Sequence, residues 1–220
     1  ESLEAAAGEE PDVAMVERAT GVVVEQPQRG ASPGVPVAEV GHRDEHLSAG
    51  GESLGEVREE GGRVHDVFED IRGRNIETYN QRLFREAREQ DIAFVQDSIT
   101  FSRKNVLRGI HGDDRTWKLL SCPFGEVFAV VVNNIAGHAQ YRMWEGFTLS
   151  DRNHHQLLVP PMFGNGHLVL SDVALFAYKL SAETDTARQF SLAWNDPTLG
   201  IRWPIGVPLV SDRDAAPATA

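Results

Sequence analysis

From residue 63 onward, short apolar runs are separated by turn residues. Many such runs at close, regular spacing are typical of an all-β sandwich or barrel. The predicted strands are Val64–Phe68, Ile76–Tyr79, Ala93–Ser98, Val106–Ile110, Trp117–Cys122, Val127–Val132, Tyr141–Leu149, Gln156–Val159, His167–Leu170, Ala174–Lys179 and Phe190–Trp194. The predicted breaks are Pro123–Gly125, Asn133–Gly137, Ser150–Asn153 and Ser171–Asp172.

A helical pattern occurs at Gln81–Gln90 (QRLFREAREQ). Leu83, Phe84 and Ala87 fall at spacings that form one apolar stripe, with arginine and glutamate on the opposite side. This pattern predicts a short surface helix that covers one end of the barrel.

Residues 1–62 differ in composition from the rest of the chain. They hold none of the 17 aromatic residues and half of the 20 glycines, and they carry 14 acidic and 4 basic side chains. A segment so poor in large apolar groups does not offset the entropy of ordering its backbone, so we predict a disordered leader. Within it, Gly21–Glu25 (GVVVE) fits either a short strand or a disordered apolar patch. We therefore predict one folded domain over 63–214 and a tail over 215–220.

Composition excludes several classes of protein. The leader lacks a basic start followed by an apolar core, and the chain has no run of eighteen apolar residues, which argues against a signal peptide and a membrane span. The single cysteine, Cys122, fits a reducing cytoplasm and is expected to be a buried structural thiol. Residues 63–220 are nearly neutral and have no long lysine–arginine cluster, so nucleic acid is not an expected partner.

Metal and phosphate motifs are also missing. His111 has no second histidine at strand spacing, and the neighbours His154 and His155 would point to opposite faces, so we expect no metal site. Neither a phosphate-binding G-x-x-x-x-G-K-[ST] loop nor a G-x-S-x-G nucleophile elbow occurs.

Proton transfer is the chemistry that the remaining residues favour. Arg108 and His111 end an apolar strand, Lys118 begins the next, and Tyr178 should face inward with Ala174 and Phe176. A base, a cation and an acid are what abstraction and return of a proton beside a ketone require. Each residue also has a purely structural alternative. His111 could be a packed structural histidine, Tyr178 could pack in the barrel interior, and Lys118 could extend its charged end to solvent.

Ordered segments of the chain resemble the dTDP-4-dehydrorhamnose 3,5-epimerase family. They are Asp70–Gly73, Glu77–Asn80, Phe94–Asp97, Asn105–His111, Lys118–Leu120, Gly125–Phe128, Trp144–Ser150, Tyr178–Lys179, Trp194–Pro197, Gly200–Pro204 and Ser211–Asp214. The resemblance implies a cupin-like jelly roll, a homodimer without metal or cofactor, and epimerisation at carbons that flank a 4-keto group in bacterial surface-polysaccharide sugar synthesis.

The resemblance also implies roles for individual residues. His111 matches the catalytic base, Asp214 the carboxylate that orients it, Tyr178 the proton donor, and Lys118 the cation near the enolate oxygen. Matches to substrate-binding positions are Arg72 and Arg108 for phosphate, Glu77, Gln96 and Asp97 for the nucleotide sugar, and Arg213 in place of a lysine.

Several positions depart from the family pattern. The usual F-A-H-G-F is Phe163–His167 (FGNGH) here, so Asn165 replaces an active-site histidine and cannot become a cation at neutral pH. Thr184 replaces an aromatic that stacks on thymine, Gln189 a glutamate and Ser98 an asparagine. The segment between His111 and Lys118 is also shorter. These changes leave a GDP-linked or a dTDP-linked substrate open. The combination of Arg108–Asp114 (RGIHGDD), Lys118–Leu119 (KL) and Gly164–His167 (GNGH) resembles a branch of the family that acts on GDP-linked 4-keto-6-deoxy-heptoses.

Two other functions fit the same barrel. A non-catalytic cupin would bind a sugar nucleotide without an acid–base pair, and a 3,4-ketoisomerase would move the carbonyl instead of inverting a carbon.

Overall fold

The structure, a computed structural model, describes residues 38–40, 42–44, 65–88 and 91–215, which contain thirteen strands and two helices. The strands are β1 (Ala38–Val40), β2 (His42–Asp44), β3 (His65–Asp70), β4 (Gly73–Ile76), β5 (Gln96–Arg103), β6 (Leu107–Gly112), β7 (Lys118–Phe124), β8 (Glu126–Asn133), β9 (Trp144–Ser150), β10 (Gln156–Val159), β11 (Phe163–Val169), β12 (Val173–Leu180) and β13 (Phe190–Ser191). The helices are α1 (Gln81–Arg88) and α2 (Asp212–Ala215).

Two five-stranded sheets face each other. Their strand orders are β1-β10-β7-β12-β5 and β13-β6-β11-β8-β9, and a small sheet β2-β3-β4 lies beside them. Apolar side chains from both inner faces, such as Leu120 and Phe176 on one sheet and Val131 and Phe163 on the other, form one buried core. Facing antiparallel sheets around a shared core are the architecture of a jelly roll, so the predicted fold class is confirmed.

Each sheet has part of its outer face covered. Phe84 of α1 packs with Leu119 and Leu158 on the outer face of the first sheet. On the second sheet, Leu199 packs with Val130 and Val132, so the chain after β13 acts as the cover.

Strand β5 has an inverted pattern. Its inward positions Ser98, Thr100 and Ser102 are small and polar, whereas Ile99 and Phe101 point outward and are 69% and 70% exposed. An edge strand with a polar inner face and an apolar outer face fits neither a dry core nor a solvated surface. Its inner face borders a cavity between the two sheets, and its outer face is open.

Most predicted strands overlap an observed strand with shifted ends, but Ile76–Tyr79 was wrong. The strand here is Gly73–Ile76, because a tight turn with Gly73 at φ +117° pairs it with β3. The chain then leaves the sheet and enters α1, where Phe84 N donates to Asn80 O at 2.8 Å. The helix predicted over Gln81–Gln90 is confirmed over Gln81–Arg88, and its last two residues lie outside the described part.

The leader prediction needs one correction, because two short strands lie within residues 1–62. β1 pairs with the edge of β10 and β2 pairs with β3. Backbone hydrogen bonds to a free sheet edge require no large side chains, so the composition gave no sign of them. Gly21–Glu25 and the tail 216–220 lie outside the described residues. Across the described chain, no helix is long and apolar enough to cross a membrane.

Candidate active site

A β-bulge brings Arg108 and His111 to the same side of β6. Residues three apart on a regular strand face opposite ways. Here β11 pairs Asn165 with His111 and His167 with Arg108, and the register shifts between the two pairs. Gly109 absorbs the shift at φ +119°, and a Cβ there would lie 2.6 Å from the backbone of β11. Both the conformation and the close approach therefore require glycine.

His111 is oriented by a buried carboxylate from the other end of the chain. Its Nε2 lies 2.8 Å from Asp214 Oδ1, and Asp214 is only 5% exposed. The second carboxylate oxygen accepts the Gly109 N–H at 3.2 Å. Because Asp214 accepts the Nε2 proton, Nδ1 is the basic ring atom.

Burial lowers the pKa of His111 below its ordinary 6.5, and the charge of Asp214 opposes that shift. The imidazole is therefore neutral at neutral pH, which is the form a general base requires.

Lys118 is a buried cation next to the histidine. Its Nζ donates to Asn165 Oδ1 at 3.1 Å and to His111 O at 3.3 Å, and it lies 3.9 Å from Asp113 Oδ2. Burial lowers the pKa of Lys118, and the charge of Asp113 opposes that change. Lys118 is thus held by three oxygen atoms at the cavity wall, where an anionic oxygen of a ligand would be stabilised.

Tyr178 faces inward from β12, as the alternation predicted. Its ring packs edge-on against Phe176, with centroids 5.0 Å apart. Burial raises the pKa of Tyr178 to about 12, so the phenol keeps its proton at neutral pH. A phenol in this state suits a proton donor.

These side chains line one cavity of about 280 Å³ between the sheets. Ligand sites commonly measure roughly 300–1,000 Å³, so this cavity lies at the small end of that range. The lining residues are Ser98, Arg108, His111, Asp113, Thr116, Lys118, Asn165, His167, Tyr178, Leu180, Ala182, Thr184, Thr186, Gln189 and Arg213.

Two arginines add positive charge to the cavity. Arg108 Nε donates to Ser102 Oγ at 3.1 Å, and Arg213 Nη2 donates to Gln189 Oε1 at 2.9 Å. Arg213 comes directly before Asp214, so one short helix supplies both the carboxylate that contacts His111 and an arginine that lines the cavity. With Lys118, the arrangement favours an anionic ligand such as a diphosphate.

Four of the predicted substrate-binding residues do not line this cavity in their own chain. Gln96 contacts two residues that line the cavity: its Nε2 donates to Ser98 Oγ at 3.1 Å and to Thr184 Oγ1 at 3.0 Å. The other three pair with neighbours outside the cavity: Asp97 with Lys179, Glu77 with Asn80, and Arg72, which is exposed, with Asp70. Their roles in substrate binding stay predictions.

The cavity also contains residues that were not predicted as site residues. Thr116 and Asp113 lie in the loop after β6, and Asp113 Oδ1 accepts the Thr116 N–H at 2.7 Å. His167 lies two residues after Asn165, so strand alternation could have identified it. Ser98, Thr184 and Gln189, the positions that depart from the family pattern, all line the cavity.

Among the residues that the structure describes, no group of three or more histidine, cysteine or acidic side chains could hold a metal ion.

Comparisons with known proteins identify the family of this chain. The family profile of dTDP-4-dehydrorhamnose 3,5-epimerase matches residues 63–220. The dTDP-4-dehydrorhamnose 3,5-epimerase of Salmonella typhimurium is 40% identical over 154 residues, which cover 68% of this chain and 84% of the relative.

Solved structures give the same result. The dTDP-6-deoxy-D-glucose-3,5-epimerase of Legionella pneumophila, in complex with dTDP-4-keto-L-rhamnose, has a TM-score of 0.66 at 36% identity. The match covers 69% of this chain and 82% of the Legionella chain. A 3′-monoepimerase of Streptomyces bikiniensis, in complex with dTDP-quinovose, has a TM-score of 0.65 at 31% identity, with coverage of 68% and 78%. This chain belongs to the dTDP-4-dehydrorhamnose 3,5-epimerase family.

Proposed function

We propose that this chain inverts C3, C5 or both in a nucleotide-linked 4-keto-6-deoxy sugar, as a step of deoxysugar biosynthesis. The observation that carries the proposal is the presence in one cavity of a neutral histidine with a carboxylate behind it and a protonated tyrosine. A ketone acidifies the C–H bonds on either side of it, so a base and an acid on opposite faces of the ring are sufficient to invert a carbon.

The steps follow from the roles of the side chains. His111 Nδ1 removes the proton beside the ketone, and the electron pair moves onto the carbonyl oxygen to give an enolate. Lys118 stabilises this oxygen by charge and hydrogen bonding. The Tyr178 hydroxyl then returns a proton to the opposite face of the carbon. The cations Arg108 and Arg213 hold the diphosphate.

The test is incubation with GDP-linked and dTDP-linked 4-keto-6-deoxy sugars in D₂O, followed by NMR of the product. Deuterium at C3 or C5 with inverted configuration supports the proposal. Binding without any exchange would identify a non-catalytic sugar-nucleotide protein, and a carbonyl that moves to C3 would identify a ketoisomerase. Either result would overturn it.

The carrier nucleotide is a finer part of the proposal. The rim residues Ala182, Thr184, Thr186 and Gln189 are all non-aromatic, so among the described lining residues the rim offers no ring on which thymine could stack. Hydrogen bonds from threonine and glutamine would then bind the base. We propose that the GDP-linked substrate is turned over at least as well as the dTDP-linked one, and the same D₂O experiment compares them.

The acid limb of the pH profile should lie below pH 6.5. The neutral imidazole is the active form, and burial lowers the pKa of His111 below that value, so the midpoint at which kcat/KM falls on acidification should lie below pH 6.5. Asp214→Asn removes a charge that raises this pKa, so its limb should move to still lower pH while its rate falls. A limb at or above pH 7 in the wild type, or an unmoved limb in the variant, would contradict the assignment of His111.

A homodimer is also part of the proposal. On the outer face of the first sheet, Ile99 pairs with Ala177 and Phe101 pairs with Leu175 across β5 and β12, which places these side chains together. Large exposed apolar residues grouped on an edge strand suit a contact between two copies of the chain. Neither Arg72 nor Glu77 lines the cavity of its own chain. In a dimer, we propose that these two residues contact the substrate bound in the cavity of the partner subunit. A cytoplasmic location stays a prediction from composition.

Phe101→Glu should give a monomer, because it places a charge in the centre of this apolar face. Light scattering coupled to size-exclusion chromatography measures the mass. Val207→Glu, at a residue that is 88% exposed and distant in sequence, is the matched control and should leave the dimer intact. An unchanged dimer in Phe101→Glu would place the interface elsewhere.

A further inference from the structure

His167 occupies a position in the cavity wall that packing alone would give to a phenylalanine. The residue is 1% exposed. Its ring stacks on Phe176, with centroids 4.0 Å apart and an angle of 14°, and it lies edge-on to Tyr178 at 6.4 Å. A phenyl ring would make both contacts without burying polar atoms.

The imidazole nitrogens therefore need a reason to be there. Nε2 of His167 is buried and has no hydrogen-bond partner among the described residues. A buried polar atom that is left unpaired destabilises a fold, and nearly all such atoms in folded proteins are paired. The pairing partner is therefore expected to arrive with the ligand.

The chemistry of the site narrows the identity of that partner. Burial, followed by the charge of Arg108, lowers the pKa of His167 to about 3, so the ring is neutral and offers one donor and one acceptor. A diphosphate would be bound by the cations instead. A hydroxyl group both donates and accepts, and so matches a neutral imidazole in either tautomer.

The position of His167 indicates that its hydrogen-bond partner belongs to the sugar part of the ligand rather than to the nucleotide. It lies two residues after Asn165 on β11, and Asn165 accepts a hydrogen bond from Lys118. Its ring also lies beside that of Tyr178. These neighbours surround the place where the ketone and its flanking carbons react. The rim residues that would meet the nucleobase belong to the segment that follows β12.

We propose that His167 is a specificity-determining residue that hydrogen-bonds a hydroxyl group of the bound sugar. This inference rests on the proposed function, since it assumes a nucleotide sugar in the cavity. It adds a contact by which the enzyme selects among sugars that share the same 4-keto group.

The first test is His167→Phe, which keeps the ring stack and removes both nitrogens. We expect kcat/KM for proton exchange to fall about 10- to 100-fold, as for the loss of one buried hydrogen bond to substrate. The melting temperature should stay the same or rise, because an unpaired buried group has been removed. Affinity for the nucleoside diphosphate alone should not change.

His138→Phe is the matched control. His138 lies in the loop after β8, and its Nδ1 is paired with Asn133 Nδ2 at 3.1 Å and with the Gln140 N–H at 3.0 Å. This variant should lose melting temperature and keep its exchange kinetics, which is the reverse of the pattern expected for His167→Phe. A lower melting temperature with unchanged kinetics in His167→Phe would assign His167 a structural role and overturn the inference.

A series of substrates identifies the hydroxyl. The 2-deoxy and 3-deoxy forms of the 4-keto sugar nucleotide are compared in the wild type and in His167→Phe. The loss caused by the substitution should disappear for the form that lacks the contacted hydroxyl, and an equal loss with both forms would overturn the inference.

Binding of an unreactive 4-hydroxy sugar nucleotide, measured by calorimetry, keeps the test independent of turnover. His167→Phe should weaken it while the nucleoside diphosphate binds equally, and equal binding of both ligands would overturn the inference. A wild type that exchanges no proton contradicts the proposed function, whereas a normal wild type with a normal His167→Phe contradicts only this inference.

Discussion

His111→Ala is expected to abolish the incorporation of solvent deuterium into a 4-keto nucleotide sugar. Removing a general base typically lowers the rate about 10²- to 10⁴-fold, and no second neutral imidazole with a carboxylate partner stands in this cavity among the described residues. His167 does not replace it, because it is buried and its pKa is about 3, which makes it a very weak base. The measurement is the rate of C–H exchange by NMR in D₂O.

Substrate binding should survive this substitution. Arg108 and Arg213 contact other partners, and neither depends on the imidazole for its position. His138→Ala, at a loop histidine outside the cavity lining, is the matched control and should retain full exchange. If His111→Ala exchanged at nearly the wild-type rate, the base would have to be another group, and the proposed mechanism would fail.

The sheet architecture and the inward orientation of one candidate site residue could be predicted from local sequence. Each apolar run from 117 to 180 overlaps an observed strand, because two buried faces and short polar turns leave a clear pattern. Tyr178 was placed on the inner face by its alternation with Ala174 and Phe176, and both of these are buried. A period of two residues is a property of the strand itself, so it survives without tertiary information.

The geometry around His111 could not be predicted in this way. Simple alternation would have put Arg108 and His111 on opposite faces, and only the bulge at Gly109 reverses this. Asp214 is separated from His111 by 103 residues and reaches it through a four-residue helix. No local pattern encodes such a contact, so only the family resemblance pointed to Asp214.

The orientation of strand β5 was difficult to predict for a different reason. A hydrophobic pattern normally reports which face of a strand is buried in the same chain. On β5 the pattern is inverted, because the polar face borders the cavity and the apolar face is open to the outside. The same pattern would fit a strand turned the other way round, so the sequence alone could not show that Ser98 faces the site.

Tyr178→Phe is expected to separate proton exchange from inversion. His111 would still remove the proton and could return a deuteron to the same face, so the substrate would gain deuterium without a change of configuration. Inversion should fall about 10²- to 10⁴-fold, since the donor on the opposite face is lost. Because the pKa of Tyr178 is raised to about 12, the wild-type phenol is protonated at every pH at which the enzyme would be assayed, and its removal should act equally across that range.

The substitution is mild for the fold, which makes the result interpretable. The phenyl ring keeps its packing against Phe176 at 5.0 Å, so the melting temperature should stay close to that of the wild type. Tyr141→Phe, at a tyrosine that is 46% exposed and outside the cavity lining, is the matched control and should invert its substrate normally. Wild-type inversion by Tyr178→Phe would mean that another group or water supplies the second proton. Loss of both exchange and inversion in a folded variant would mean that Tyr178 also helps His111 to remove the first proton, and the two roles assigned to opposite faces of the sugar would have to be merged.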